Sequence, residues 1–233
     1  TIKPDMEAIR LSLLKSSYEF VYDMNAPEDA MVFVNPAIKE HESYELNRST
    51  ESKDLQSLDV LGRTDACLVG WALDANGENM LEAFNLDDLR TLDAFEKARK
   101  STETLYAVWK EKGDACTPKT FKVASGWSAE EGVFTISYRY EDKTYSFEVT
   151  EDGVEIPAVA GVEVEVSFAG SNAYQFDNVI AGRDIAGNLL FSIDNGGFFT
   201  VSDAQSDVQL STGAIPTEFA FVFNANVGDA NVF

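Results

Sequence analysis

Basic side chains are scarce in this chain. Eighteen Lys and Arg stand against forty Asp and Glu, for a formal net charge of -22. After Lys143 there is no further lysine, and after Arg139 the one remaining arginine is Arg183. Phosphate backbones and anionic lipid surfaces would be repelled across most of such a surface. Binding to nucleic acid through basic patches, and binding to membranes, are therefore not expected. Acidity of this kind fits high solubility, a saline setting or cation binding, and in its plainest form a well-solvated surface.

Histidine and cysteine are nearly missing. His41 is the only histidine, and it lies among Glu40, Glu42 and Glu45 in a polar stretch. A His-Glu-x-x-His metal motif is therefore impossible, and any Ser-His-Asp or Cys-His arrangement would have to use His41. The chain has no Gly-x-Ser-x-Gly elbow, no phosphate loop with its lysine and no Gly-x-Gly-x-x-Gly after a strand. Cys67 and Cys116, each in an Asp-Ala-Cys tripeptide, are the two cysteines. Two cysteines make neither a disulfide framework nor a zinc site. Separate free thiols are expected ahead of a Cys67–Cys116 bridge, which stays open as the alternative, with a reducing cytosol as the default compartment.

Long apolar runs are absent as well. No segment approaches the roughly 18 to 20 apolar residues of a membrane-spanning helix. Thr1–Asp5 lacks the basic start and apolar centre of a secretory signal, and reads as the start left by removal of an initiator Met. The expected setting is a virion or the cytoplasm.

What is present is enough for a core. An apolar fraction of 45% and an aromatic fraction of 12% over 233 residues support one large domain or two small ones. The front half reads in part as helical. Pro4 suits a first helical turn, with Asp5 and Glu7 behind it, and Ile9, Leu13, Leu14, Phe20 and Val21 give an approximate stripe. Residues 37–57 read as a long polar arm. Ala66–Leu73 reads as a buried strand that turns at Asp74-Ala75-Asn76-Gly77. Asn85 is a candidate cap for the clearest helix, with Leu89, Leu92, Phe95, Leu105, Val108 and Trp109 as its stripe and Gly113 as its stop.

From Phe121 the period changes to two. Phe134, Ile136, Tyr138 and Tyr140 alternate with Val133, Thr135, Ser137 and Arg139, and Glu141-Asp142-Lys143 turns the chain. Tyr145, Phe147 and Val149 continue the pattern, and Val162–Val166 alternates strictly. Further strands are expected at 174–180, 188–193, 198–202 and 219–223. No internal repeat stands out at a fixed period. The expected fold class is thus α+β: a helical N-terminal half over residues 1–120, and a β-rich antiparallel sandwich or barrel of about six to eight strands over 121–233, the two parts separate or continuous.

Chemistry is thinly represented. Carboxylate pairs are available for hydrolysis, but their separation is not a property of sequence. Asp194-Asn195-Gly196 with Asp203 and Asp207, and Asp74-Ala75-Asn76-Gly77-Glu78, offer oxygen ligands to calcium; common turn chemistry accounts for them more simply. No other cofactor is expected. Asn47-Arg48-Ser49 matches a glycosylation sequon without a secretory signal to support it. Trp127, Tyr138, Tyr140, Tyr145 and Tyr174 would make a sugar-stacking platform if exposed together, although strand aromatics more often fill cores.

The expectation is therefore not an enzyme. It is a structural subunit of an assembly, with virion capsid, decoration and tail proteins as a fold-level analogy. Its partners would be neighbouring protein subunits, met through Phe219, Phe221, Phe223 and Phe233 and through Glu40 and His41 on the arm. A carbohydrate-binding or other ligand-binding sandwich, calcium-assisted or not, and a carboxylate hydrolase are the alternatives.

Overall fold

The computed structural model describes residues 16–46, 52–85, 100–177, 179–194, 196–213 and 215–217. The first part of the chain holds β1 (Ser16–Asp23), β2 (Phe33–Val34), β3 (His41–Leu46), β4 (Ser52–Asp54), β5 (Leu61–Gly62), β6 (Ala66–Ala72), β7 (Met80–Leu81), β8 (Ala83–Asn85) and β9 (Lys100–Glu111). The second holds β10 (Thr120–Ser125), β11 (Gly132–Tyr140), β12 (Lys143–Val149), β13 (Val154–Pro157), β14 (Glu163–Gly170) and β15 (Tyr174–Gln175). It continues with β16 (Val179–Arg183), β17 (Leu189–Asp194), β18 (Gly197–Thr200), β19 (Val208–Thr212) and β20 (Ile215–Pro216). Among the described residues the helical content is a single 3-10 turn, Leu58–Val60.

The expected helical front half is therefore corrected. Two segments assigned to helices are strands, and the reason is visible in their burial. In β1, Tyr18, Phe20 and Tyr22 are buried while Glu19 and Asp23 face away, a period of two. In β9, Leu105 and Ala107 are buried and Trp109 packs beside them, while Thr104, Tyr106 and Val108 occupy the other face. Helical spacing had joined Leu105, Val108 and Trp109 across both faces. β-Branched and aromatic residues on both faces favour the extended form. Ile9, Leu13, Leu14, Leu89, Leu92 and Phe95 lie outside the described residues. The polar arm is also corrected in its described part, because His41–Leu46 pairs antiparallel with β1 as an edge strand.

Two five-stranded sheets organise the molecule, one in each part, in the orders β3-β1-β9-β6-β7 and β13-β10-β19-β16-β17. Their connectivity is the same. In each, the first strand (β1 or β10) pairs in parallel with the last (β9 or β19). The first strand also pairs antiparallel with an outer strand, β3 or β13. The last strand pairs antiparallel with a middle strand, β6 or β16, which pairs antiparallel with β7 or β17. The hairpin loops at matching places repeat too. Between β6 and β7, Asp74 Oδ1 accepts from the Asn76 and Glu78 amides at 3.0 and 3.2 Å, and Gly77 has φ +75°. Between β16 and β17, Asp184 Oδ1 accepts from the Ala186 and Asn188 amides at 2.9 and 2.8 Å, and Gly187 has φ +86°. The chain is an internal duplication of one sheet topology, without a constant sequence period.

In the second part a four-stranded antiparallel sheet, β12-β11-β14-β18, faces the five-stranded one. Phe121, Val123, Ile180, Val208 and Leu210 from one sheet meet Phe134, Ile136, Val164, Val166 and Phe199 from the other. The sandwich expected from the sequence has about six to eight antiparallel strands; the two facing sheets have five and four strands, and the β10–β19 pair is parallel. The first core gathers Tyr18, Phe20, Tyr22, Trp71, Phe84 and Leu105, with Phe20 stacked on Phe84 at 4.7 Å. Each such fully buried side chain contributes roughly 1.5–3 kcal/mol of apolar burial.

The two cores share a strand. Val32 and Val34 belong to the first core, while Phe33 between them belongs to the second. Phe33 stacks on Tyr138 with ring centroids 4.0 Å apart. The Tyr138 hydroxyl donates to the Val32 carbonyl, and Asn35 Nδ2 donates to the Ala160 carbonyl at 2.6 Å. Alternation at β2 thus sends neighbouring side chains into different cores and joins them.

The expectation of free thiols is overturned as well. Cys67 on β6 and Cys116, just beyond β9, form a disulfide with Cα atoms 5.9 Å apart. Antiparallel pairing of β6 with β9, in which Cys67 lies opposite Lys110, brings the end of β9 alongside Cys67, and the Gly113–Cys116 bridge turns Cys116 back toward it. Sequence separation hid this proximity.

Candidate functional site

Three clefts are the candidate sites. The first, of about 440 Å³, lies where the two halves meet. The end of β1 and the loop after it supply Asp23, Asn25 and Glu28. The start of β3 supplies Glu40 and His41, and the β11–β12 hairpin supplies Tyr140, Glu141, Lys143 and Tyr145. Asn25 shapes the loop. It sits at φ +45°, a region that Asn tolerates better than most residues. Its Nδ2 donates to the Ala75 and Ala107 carbonyls at 2.9 and 3.0 Å.

Four acids against one lysine make this cleft unfavourable for anions. Tyr140 is half-buried, and its phenol is pushed well above the ordinary value by burial first, then by Glu141 and Glu40. It stays protonated and can donate a hydrogen bond. His41 Nδ1 lies 3.3 Å from Glu19 Oε1, with the imidazole largely exposed. The arrangement suits a neutral polyhydroxylated or a cationic ligand: ring faces for stacking, carboxylates for hydroxyls or positive charge.

The residues expected at a stacking platform are divided. Tyr138 is buried, stacked on Tyr145 at 5.0 Å, and its phenol is raised by burial and then by Tyr145. Tyr140 and Tyr145 reach the first cleft. Trp127 and Tyr174 form a separate edge-to-face pair at 6.2 Å, and the Trp127 amide donates to Ser125 Oγ at 3.0 Å. Glu40 and His41, read from sequence as interface residues, thus join two of the tyrosines in one cleft. Phe219, Phe221, Phe223 and Phe233 lie outside the described residues.

The second cleft, about 280 Å³, follows the seam beside the disulfide, with Leu58, Leu61, Pro118 and Val159 in its lining. Arg63 nearby is buried. Its guanidinium forks onto Asp65 at 2.9 and 2.7 Å and lies 5.1 Å from the Trp109 ring centroid. The Arg63 hydrogen bonds hold the Asp65 carboxyl below the usual range.

The third cleft, about 540 Å³, opens at the edge of the second sandwich and is lined by Leu190, Phe191, Ile193, Phe198, Phe199 and neighbouring polar residues. Phe191 and Phe199 stack at 4.6 Å, one from each sheet, and close the sandwich there. Leu190 and Phe198 project outside that closure. Sequence reasoning passed over this place; its signal was the run Leu189-Leu190-Phe191 and the adjacent Phe198-Phe199 in a segment without lysine.

Two of the calcium candidates, Asp74 and Asp207, accept backbone hydrogen bonds, Asp74 within its own turn. Both oxygens of Asp74 accept hydrogen bonds, the second from Asn79 N and Nδ2, each at 2.9 Å. Asp207 Oδ1 accepts from the Lys122 amide at 2.8 Å. Among the described residues no group of three or more His, Cys, Asp or Glu is placed to hold a metal ion. The Glu103 carboxyl is raised by burial, yet this residue lines none of the three clefts. No helix of the described residues is long and apolar enough to cross a membrane. No protein-family model, no curated protein and no solved structure matches this chain.

Proposed function

We propose that this chain is a non-catalytic structural subunit of a larger protein assembly. The observation that carries this reading is the open edge of the second sandwich. Leu189 and Leu190 on β17 and Phe198 on β18 are 54%, 42% and 59% exposed there, on a chain that is otherwise strongly acidic. Large exposed apolar side chains gathered at one edge mark an interaction surface. The shared core at Phe33 supports the reading, because it lets the two halves carry load as one body. The disulfide supports an oxidising compartment, such as the outside of a cell or a virion surface, in place of a reducing cytosol. Sedimentation velocity of the full chain from low to high micromolar concentration is the test. Concentration-dependent growth is expected, and a monomer across the whole range overturns the reading.

A second reading has its own observation. Tyr140, Tyr145, Glu40 and His41 meet in the first cleft, which favours binding of a neutral sugar or a small cation. Glycan-array binding that disappears in Tyr145→Ala would support it. Silence of the parent chain, with and without calcium, would remove it.

A further inference from the structure

We infer that the third cleft is the acceptor for the C-terminal segment, residues 218–233, of a second copy of this chain, so that copies join head to tail. This rests on the assembly reading and names its contact.

The acceptor is incomplete in a specific way. β17 pairs on one side with β16, and β18 on one side with β14. Among the described residues no strand pairs with the outer side of either, so both sheets end there. Natural edge strands are usually blunted by lysine, proline or an inward charge. β17 and β18 have no lysine or proline, and Asp194 at the end of β17 is their one charged residue. Leu190 and Phe198 face solvent at a cleft whose floor includes Phe191, Ile193 and Phe199. An added extended segment would take main-chain hydrogen bonds from the edge and place side chains in the cleft, the usual form of strand addition.

The donor is chosen by composition and position. From Phe219 to Gly228 the chain has no charged residue and no proline, in a protein where 25% of residues are charged. Phe219, Phe221 and Phe223 alternate, which would place three rings on one side of an extended segment. β17 is six residues long, a span of about 20 Å, and residues 218–233 are more than enough to cover it. The chain reaches Thr217 beside Ala173, where the Thr217 amide donates to the Ala173 carbonyl at 2.7 Å. In a chain of net charge -22, two uncharged surfaces can approach where most others repel. The contact joins unlike surfaces, so it propagates instead of closing a symmetric dimer.

The test uses two full-length variants. One breaks the donor, with Phe219→Asp, Phe221→Asp and Phe223→Asp together. The other breaks the acceptor, with Leu190→Lys and Phe198→Lys. Each alone is expected to stay monomeric at concentrations where the parent forms long assemblies. Mixed one to one, they are expected to give a discrete heterodimer, because one intact donor meets one intact acceptor. Circular dichroism of each variant confirms that it is folded. A mixture that stays monomeric overturns the inference, as does either variant assembling like the parent. In the latter case the assembly reading stands and its contact lies elsewhere. A monomeric parent overturns both.

Discussion

Asp74 and Asp184 close the same kind of turn at matching points in the two halves of the chain. Each carboxylate accepts two backbone amides through Oδ1, and each offers Oδ2 to a following asparagine, Asn79 or Asn188, at 2.9 or 2.8 Å. These bonds hold both carboxyls below the ordinary value. For Asp74 the Glu78 amide contributes most, and for Asp184 the Asn188 side chain.

The pH dependence follows from that direction. A carboxyl whose folded pKa is depressed contributes stability that is present above the unfolded value of about 3.9 and is lost as pH falls through the folded value. Asp184→Asn should therefore be less stable than the parent at pH 7, with the difference shrinking below about pH 4. Urea unfolding at pH 7 and pH 3 reads this. A difference that stays constant with pH would show that the charge is immaterial.

The glycines of the same turns separate backbone from packing. Gly187→Ala places a methyl in open space at φ +86°, so its cost is conformational, about 1 kcal/mol. Gly77→Ala meets the same backbone cost and brings a Cβ within 3.0 Å of Val108 Cγ1. It should cost more than Gly187→Ala in chemical denaturation. Equal costs would mean that Val108 yields freely.

Tyr138 joins the halves through its hydroxyl. Tyr138→Phe keeps the stack on Phe33 and leaves the Val32 carbonyl without that donor, for a loss of about 1–3 kcal/mol. Phe33→Ala removes the shared ring and should cost about 3–5 kcal/mol. Guanidinium unfolding followed by tryptophan fluorescence compares them. A Phe33→Ala variant as stable as the parent would show that the cores stand independently.

Removing the disulfide by Cys67→Ser with Cys116→Ser should lower stability by about 2–4 kcal/mol, since the closed loop spans a sequence separation of 49. The midpoint of the parent in reductant should approach that of the double variant. An unchanged midpoint would count against a constraint on the unfolded chain.

The second half was legible because its strands alternate cleanly. Phe134, Ile136 and Tyr138 fill one face of β11 while Thr135, Ser137 and Arg139 leave it, and turn residues separate the strands. The first half was not, because β1 and β9 carry apolar or aromatic residues on both faces, and a dense pattern satisfies helical spacing by chance. Leu105, Val108 and Trp109 illustrate this. Non-local relationships were invisible for a different reason. The Cys67–Cys116 bridge, the parallel pairing of first and last strands, and the meeting of His41 with Tyr140 depend on chain paths that no local period encodes. The duplication was hidden because Asp74 is followed by Gly77 and Asn79, and Asp184 by Gly187 and Asn188. The Asp-to-Asn spacing therefore differs by one residue and the loops themselves, 73–79 and 184–188, by two, so no constant period shows.

The bond between Cys67 and Cys116 also decides how the molecule would respond to tension. Pulled from its two ends, the polypeptide transmits force through the sulfur atoms, and residues 68–115 lie outside the loaded path. They add no length until the bond is reduced. Stretching single molecules before and after a reductant should show a second, longer contour appear only in the reduced state.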